Sequence, residues 1–370
     1  MERKLFILNP MDSGNKIDCK TLQDRFNAVG GNPGNLMFYE SVKKELAYSK
    51  IINVKSYEEV SEDDIVVIPS SNFLMHGGDD SFFQGFIDFF DRTKCQVTLI
   101  GLGAQSSNIF STPQKLVSLG VRPNKIKVEF FEKLSERTNT FGIRGEFTAE
   151  CLDLMGIHNY RIIGCPSMFM NLDGTFPQIA DPERGKYQIT ITPGSSHIKT
   201  KLLELGMKEY CYWVKQCWSE IPTFSTIGGK KILNVKWRLK EFPGLLCSTD
   251  KILEYNNKYS KIFFDLDEWF KMYSQEKISF AFGTRFHGNM VAMQNGIPTL
   301  WVIHDSRTRE LTDFLHLPSV PLEMIGKIKH IEELFEYCNY DETVKHYRAL
   351  CDNYIEFLEE NEIKHLYSIN

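Results

Sequence analysis

The chain is organised around residues 278–309, centred on Gly283-Thr284-Arg285-Phe286-His287-Gly288. Arginine presents a rigid fork of donors to an oxyanion, and histidine exchanges a proton near neutral pH. The apolar run Ile278, Phe280, Ala281 and Phe282 predicts a strand ending at Gly283, and the residues after it predict a short amphipathic helix. Helix amino termini and the carboxyl ends of strands in open α/β sheets attract anionic ligands. Gly283, Thr284, Gly288 and Asn289 are therefore expected to help Arg285 and His287 hold a negatively charged substrate.

Other chemistry lies at further predicted strand ends. Residues 70–80 follow the buried run Ile65-Val66-Val67-Ile68 and offer Asn72, His76, Asp79 and Asp80: an amide, a base and two acids. Asp79 and Asp80 read equally as caps of the next helix. Gly101-Leu102-Gly103-Ala104-Gln105 begins like a dinucleotide fingerprint, but Ser106 stands where its third glycine belongs, which argues against a nicotinamide site and leaves Gln105 as a polar group at a strand end. Arg307, in His304-Asp305-Ser306-Arg307, is a further cation. The pattern F-G-x-R occurs at both Phe141-Gly142-Ile143-Arg144 and Phe282-Gly283-Thr284-Arg285, so Arg144 and Arg285 would meet if their two strand edges face each other.

The elements that must position these groups alternate between strand and helix, which implies α/β architecture with parallel sheets. Strands are expected near residues 4–8, 64–69, 97–100, 140–143 and 161–164, then near 187–192, 232–235, 262–264, 278–283 and 299–303. The pattern lapses over residues 165–186, rich in Pro, Gly, Asn and Asp, and this places a domain boundary there. The expected division is a domain at 1–170, a second at 186–325 and a helical tail at 326–370 that packs back on the first. At 370 residues two domains are the better expectation. A formal net charge of −5 argues against a general nucleic-acid binder. No apolar run is long enough to span a membrane, and the first apolar run is too short for a signal peptide. Nine cysteines without CxxC pairs fit free thiols in a reducing compartment, so the cytoplasm is expected, and no cysteine–histidine pattern predicts a metal site.

Gly283-Thr284-Arg285-Phe286-His287-Gly288, followed by Ala292 and Gly296-Ile297-Pro298, resembles the carboxy-terminal R-x-H-G signature of polysaccharide pyruvyl transferases. Residues 142–149 and Ile163-Gly164-Cys165-Pro166-Ser167 resemble that family's middle region, and residues 101–105 its earlier glycine turn. The similarity runs over residues 31–311. It implies two Rossmann-like domains facing across a cleft in the GT-B manner, the first on the acceptor side and the second on the donor side. It also implies transfer of a pyruvyl unit from phosphoenolpyruvate to a sugar of a cell-surface polysaccharide or its precursor, with a pyruvate ketal formed, phosphate released and no cofactor or metal required.

By the same resemblance His287 is the general acid and Arg285 the anion clamp; Arg144 and Arg307, from their places at strand ends, are expected as further donor-binding cations. Asn35 stands where many members carry an acidic residue, so the base falls to Asp79 or Asp80, and Asn72, His76 and Gln105 are expected on the acceptor side. Cys165-Pro166 replaces a frequent Asp-Pro, and Ser70-Ser71-Asn72 replaces a glycine-rich loop, which leaves the acceptor open. The acceptor is a sugar or a lipid-linked glycan, and peripheral membrane contact stays open. The competing readings are a GT-B glycosyltransferase using a nucleotide sugar and a non-catalytic glycan-binding protein of the same fold.

Overall fold

Short, β-branched runs such as Ile65-Val66-Val67-Ile68 are buried on both faces, as strands of a parallel sheet between helical layers must be. In the computed structural model, which describes residues 3–9, 19–78, 80–106, 111–170, 174–194 and 196–367, these runs form two six-stranded sheets. The first comprises β1 (Leu5–Leu8), β2 (Lys50–Ile52), β3 (Ile65–Pro69), β4 (Gln96–Leu102), β5 (Phe141–Ile143) and β6 (Tyr160–Ile162). Its order is β2-β1-β3-β4-β5-β6, every pair parallel.

The second sheet comprises β7 (Lys186–Thr190), β8 (Tyr212–Val214), β9 (Ser260–Lys261), β10 (Ile278–Gly283), β11 (Thr299–Ile303) and β12 (Ser319–Pro321). The order β9-β8-β7-β10-β11-β12, again all parallel, is the doubly wound Rossmann order. The direction of winding reverses between β7 and β10, where Gly283 pairs with Thr190. A crevice opens at such a switch point. The fold is thus α/β with two Rossmann-like units.

Two expected strands are different in the structure. Residues 230–233 pair antiparallel with Phe224–Ile227 in a separate hairpin, and Asn234 caps a helix at Val235–Glu241. Ile262–Phe264 lies beyond the two-residue strand β9. The second strand of this unit is instead Tyr212-Trp213-Val214, three residues too short to show a periodicity.

Five helices position the site: α1 (Asn35–Glu45), α2 (Glu146–Met155), α3 (Phe286–Met293), α4 (Ser306–Phe314) and α5 (Asp341–Glu360). The helix α3 is buried on every side, not amphipathic as expected, because it is packed between its own sheet and α1. One apolar layer joins Phe38 and Tyr39 of α1, Met290 and Val291 of α3, and Tyr354 and Phe357 of α5. The last helix lies on the first unit: Tyr354 donates to Glu45 Oε2 at 2.6 Å and stacks on Phe169 at 4.8 Å, while Arg161 pairs with Glu356 and Glu360. Burial pushes the Glu45 carboxyl well above its ordinary range. Among the described residues no helix is long and apolar enough to cross a membrane.

Candidate functional site between the two sheets

Gly283 ends β10 with φ 140°, and a Cβ there would lie 2.0 Å from the Thr190 carbonyl, so only glycine permits the strand to turn here. The turn is then fixed by side chains. Asn289 Nδ2 donates to Gly283 O at 2.9 Å, Thr190 Oγ1 donates to Asn289 Oδ1 at 2.8 Å, and Thr284 Oγ1 accepts from the Thr192 amide at 2.6 Å. These bonds place Arg285 at the amino-terminal cap of α3 and His287 in its first turn.

His287 Nε2 is 3.3 Å from Cys165 Sγ, which lies beyond the end of β6 in the other unit. Ser167 donates its hydroxyl to the same sulfur at 3.1 Å. Burial keeps the Cys165 thiol protonated, so its hydrogen is available to Nε2. When the thiol donates, the ring proton sits on Nδ1, to which no described residue bonds. Burial, with Arg144 and Arg307 adding repulsion, holds His287 well below the usual histidine range, so the ring is neutral in the free protein.

Arg285 is committed on one side: Nε donates to Glu220 Oε1 at 3.0 Å and Nη2 donates to that oxygen and to Cys217 Sγ at 2.7 Å. No described residue bonds its Nη1. Glu220 is fully buried; desolvation raises its pKa and Arg285 opposes the rise. From the first unit, Arg144 enters wholly buried, with one terminal nitrogen donating to Asn72 Oδ1 at 3.0 Å. Asn72 Nδ2 donates to Gln105 Oε1 at 2.9 Å, and Gln105 Nε2 donates to Asp305 Oδ2 at 3.3 Å across the units. Asp305 caps α4 through Thr308 and meets Arg307 at 3.5 Å and His304 at 3.3 Å. Burial, opposed by Asp305, brings His304 down to about 3.

The two sheet edges therefore face each other, and the two F-G-x-R arginines share one environment. Beside them Thr148, at the start of α2, donates its amide and hydroxyl to Glu310 of α4, each at 3.0 Å. Desolvation pushes the Glu310 carboxyl up to about 8. Several buried donors in this region have no partner: Arg144 Nε, Arg307 Nε and Gln216 Nε2. An unpaired buried donor is costly, and a group of them beside guanidinium charges fits an anionic ligand.

Asn72, Gln105, Arg144, Arg285, His287 and Arg307 are thus brought together, with Gly283, Thr284, Gly288 and Asn289 forming the turn beneath them. Asp80 is exposed and bonds Asn124 at 2.6 Å; no hydrogen bond or ion pair links it to His287 or Arg285. His76 is exposed on the same loop, 3.3 Å from the Cβ position of Gly120. Asp79 lies outside the described residues. Sequence reading missed Gln216, whose amide fills the gap that Gly34 and Gly288 leave; a Cβ at either would come within 2.4 Å of it. It also missed Glu220, Glu310 and Lys199, a lysine whose pKa is lowered by burial and which interacts electrostatically with Asp305, Arg285 and Arg307. Gln216 and Glu220 follow the strand that was too short to read.

Among solved structures, the chain is similar to UDP-GlcNAc 2-epimerase from Neisseria meningitidis bound to UDP-GlcNAc, with 13% identity, a TM-score of 0.44, and coverage of 94% of this chain and 84% of that one. It is similar to a UDP complex of MnaA from S. aureus at 10% identity and TM-score 0.41, covering 99% and 92%. A variant of Os79 from O. sativa in complex with UDP gives 11% identity and TM-score 0.36, covering 97% and 95%. No curated protein matches. The description "polysaccharide pyruvyl transferase" matches residues 19–306, a span that contains Arg144, Cys165, Arg285, His287 and Asp305. The chain belongs to the polysaccharide pyruvyl transferase family.

Proposed function

We propose that this protein transfers a pyruvyl unit from phosphoenolpyruvate to a sugar of a cell-surface polysaccharide or its precursor, forming a cyclic pyruvate ketal and releasing phosphate. The observation that carries this reading is the set of unpartnered buried donors on Arg144, Arg307 and Gln216 around a neutral His287. A small, highly charged anion matches that set, and phosphoenolpyruvate carries both a phosphate and a carboxylate. The reaction belongs in the cytoplasm, where thiols stay reduced.

The chemistry follows from what each group can do. Donor binding brings negative charge beside His287, which raises its pKa and loads Nδ1 and Nε2 with protons. The charged ring gives a proton to the methylene carbon, C2 becomes electrophilic, and one sugar hydroxyl adds there as its own proton leaves to a base. Phosphate departs with the C–O bond electrons, and a second hydroxyl closes the ketal, its proton passing to phosphate. Arg144, Arg307 and Arg285 Nη1 hold the phosphate and carboxylate while charge moves between them.

Phosphate release from phosphoenolpyruvate, measured with and without a glycan acceptor and paired with mass spectrometry of the glycan, tests the reading. Nucleotide release from a nucleotide sugar instead would make the protein a glycosyltransferase. Release of neither, with glycan binding retained, would make it a binding protein.

A further inference from the structure

Residues 224–246 carry Lys230, Lys231, Lys236, Arg238 and Lys240 against the single acid Glu241, on a chain whose net charge is −5. They fold as the antiparallel hairpin Phe224–Ile227 and Lys230–Leu233, turned through Gly228 and Gly229 at φ 56° and 75°, followed by the helix Val235–Glu241. That helix buries Trp237 and Glu241. Its opposite face pairs Val235 with Leu239 and Lys236 with Lys240 at a spacing of four residues, so two aliphatic and two basic side chains point outward together.

Val235 is 56% exposed, Leu239 62%, Ile232 of the hairpin 41%, and Leu246, just beyond the helix, 89%. Lys230, Lys231 and Lys236 are exposed, and no carboxylate of a described residue forms an ion pair with them or with Arg238. Lys240 reaches only its neighbour Glu241, at 3.5 Å. One exposed leucine is ordinary. Several aliphatic side chains interleaved with unneutralised lysines on one unit of an acidic protein match an anionic bilayer, which takes the aliphatic groups at its interface and attracts the basic ones. A nucleic-acid surface would favour exposed aromatic rings for stacking, and the exposed apolar groups of this unit are aliphatic.

The unit is tied to the cleft. Trp237 Nε1 donates to the Ser219 carbonyl at 2.9 Å, and the next residue, Glu220, holds Arg285. Trp218 of the same turn is 47% exposed and sets its ring edge-on to Phe26 of the first unit, 6.0 Å away. We propose that residues 224–246 dock this protein on an anionic membrane surface and so present the interdomain cleft to a lipid-linked glycan acceptor. The docking stands on the exposed side chains alone; the link to the acceptor rests on the pyruvyl-transfer reading.

Flotation of the full chain with vesicles of phosphatidylcholine alone, or of phosphatidylcholine mixed with phosphatidylglycerol, tests the docking. The mixed vesicles capture the protein at low salt, the pure ones do not, and added salt weakens capture. Each basic residue contributes about fivefold in affinity, so combined Lys230→Glu, Lys231→Glu and Lys236→Glu reduces capture by at least about a hundredfold. Leu239→Asp reduces it at least about tenfold. Both variants keep the wild-type thermal midpoint, because the altered side chains are exposed. Absence of capture by the mixed vesicles, equal capture by both, or undiminished capture of the variants overturns the proposal. So does a dimer that Leu239→Asp dissociates without vesicle binding, which would assign the face to self-association. Both variants keep wild-type phosphate release on a soluble acceptor. If the wild type shows no release on either a soluble or a lipid-linked acceptor, the pyruvyl-transfer reading fails while the flotation result still decides the docking.

Discussion

His287 Nε2 faces Cys165 Sγ at 3.3 Å across the two Rossmann-like units, with a neutral thiol where a carboxylate would charge the ring. The histidine therefore depends on its ligand for protonation. In the free protein burial and the charges of Arg144 and Arg307 keep it neutral. An anion bound among those arginines reverses the balance, so phosphoenolpyruvate binding near pH 7 takes up protons and tightens as pH falls. Calorimetry in buffers of different ionisation enthalpy measures the uptake; a binding heat independent of buffer would contradict it. Cys165→Asp places a negative charge behind the ring and raises the His287 pKa of the free protein by at least about one unit, while Cys165→Ser leaves it low. Ring carbon shifts followed by NMR across pH report both.

Removing the proposed acid separates chemistry from binding. His287→Ala lowers turnover by about a hundredfold to ten-thousandfold, the usual range for a general acid, and leaves donor affinity within a few-fold because the arginines remain. Full turnover in this variant would take His287 out of the proton transfer.

Arg285 has two of its three nitrogens on Glu220 and Cys217, which leaves Nη1 for the donor. Arg285→Lys supplies a point charge that cannot hold Glu220 and reach an anion together. Donor affinity should fall about tenfold. The buried carboxylate also loses paired bonds, and stability drops by about 2 kcal/mol. Direct titration and thermal unfolding measure the two effects; loss of stability with unchanged affinity would make Arg285 a structural ion pair only.

Glu310 links the units through Thr148 and is protonated up to about pH 8. Its folded pKa lies above the unfolded value of 4.5, so the native state holds the extra proton between those pH values. Stability must then fall as pH rises from 4.5 to about 8, by about 1.4 kcal/mol per unit from this group, and level off above. Glu310→Gln should flatten that slope and exceed the wild type in stability at alkaline pH. A slope unchanged in the variant would place the titration elsewhere.

The parts of the molecule that could be read from sequence are those with long or strongly patterned signals. The runs before Ser70, Gly101 and Gly283 announced buried parallel strands, and chemistry at their carboxyl ends followed from the architecture. Arg144 and Arg285 drew attention by sharing F-G-x-R, and the structure sets both at one cleft. The three-residue strand Tyr212–Val214 gave no period to detect, so Gln216 and Glu220 beyond it went unseen. Lys230-Lys231-Ile232-Leu233 had enough apolar character to read as a sheet strand, yet Ile232 is exposed and the segment pairs only within its hairpin. Asp80 had the right chemistry and the right loop, but its partner is Asn124. No property of a single sequence distinguishes a cap from a catalytic acid there. Glu310 sits mid-helix, and only the approach of α2 from the other unit explains its burial.

The proposed function rests on formation of a pyruvate ketal from phosphoenolpyruvate at this site. Incubation with phosphoenolpyruvate and a glycan acceptor, followed by mass spectrometry of the glycan and measurement of free phosphate, tests it most directly. One phosphate is released for each pyruvate ketal gained, and the rate of both falls at least about a hundredfold in His287→Ala. Phosphate release without a change in glycan mass, or no release with any sugar acceptor, would contradict it.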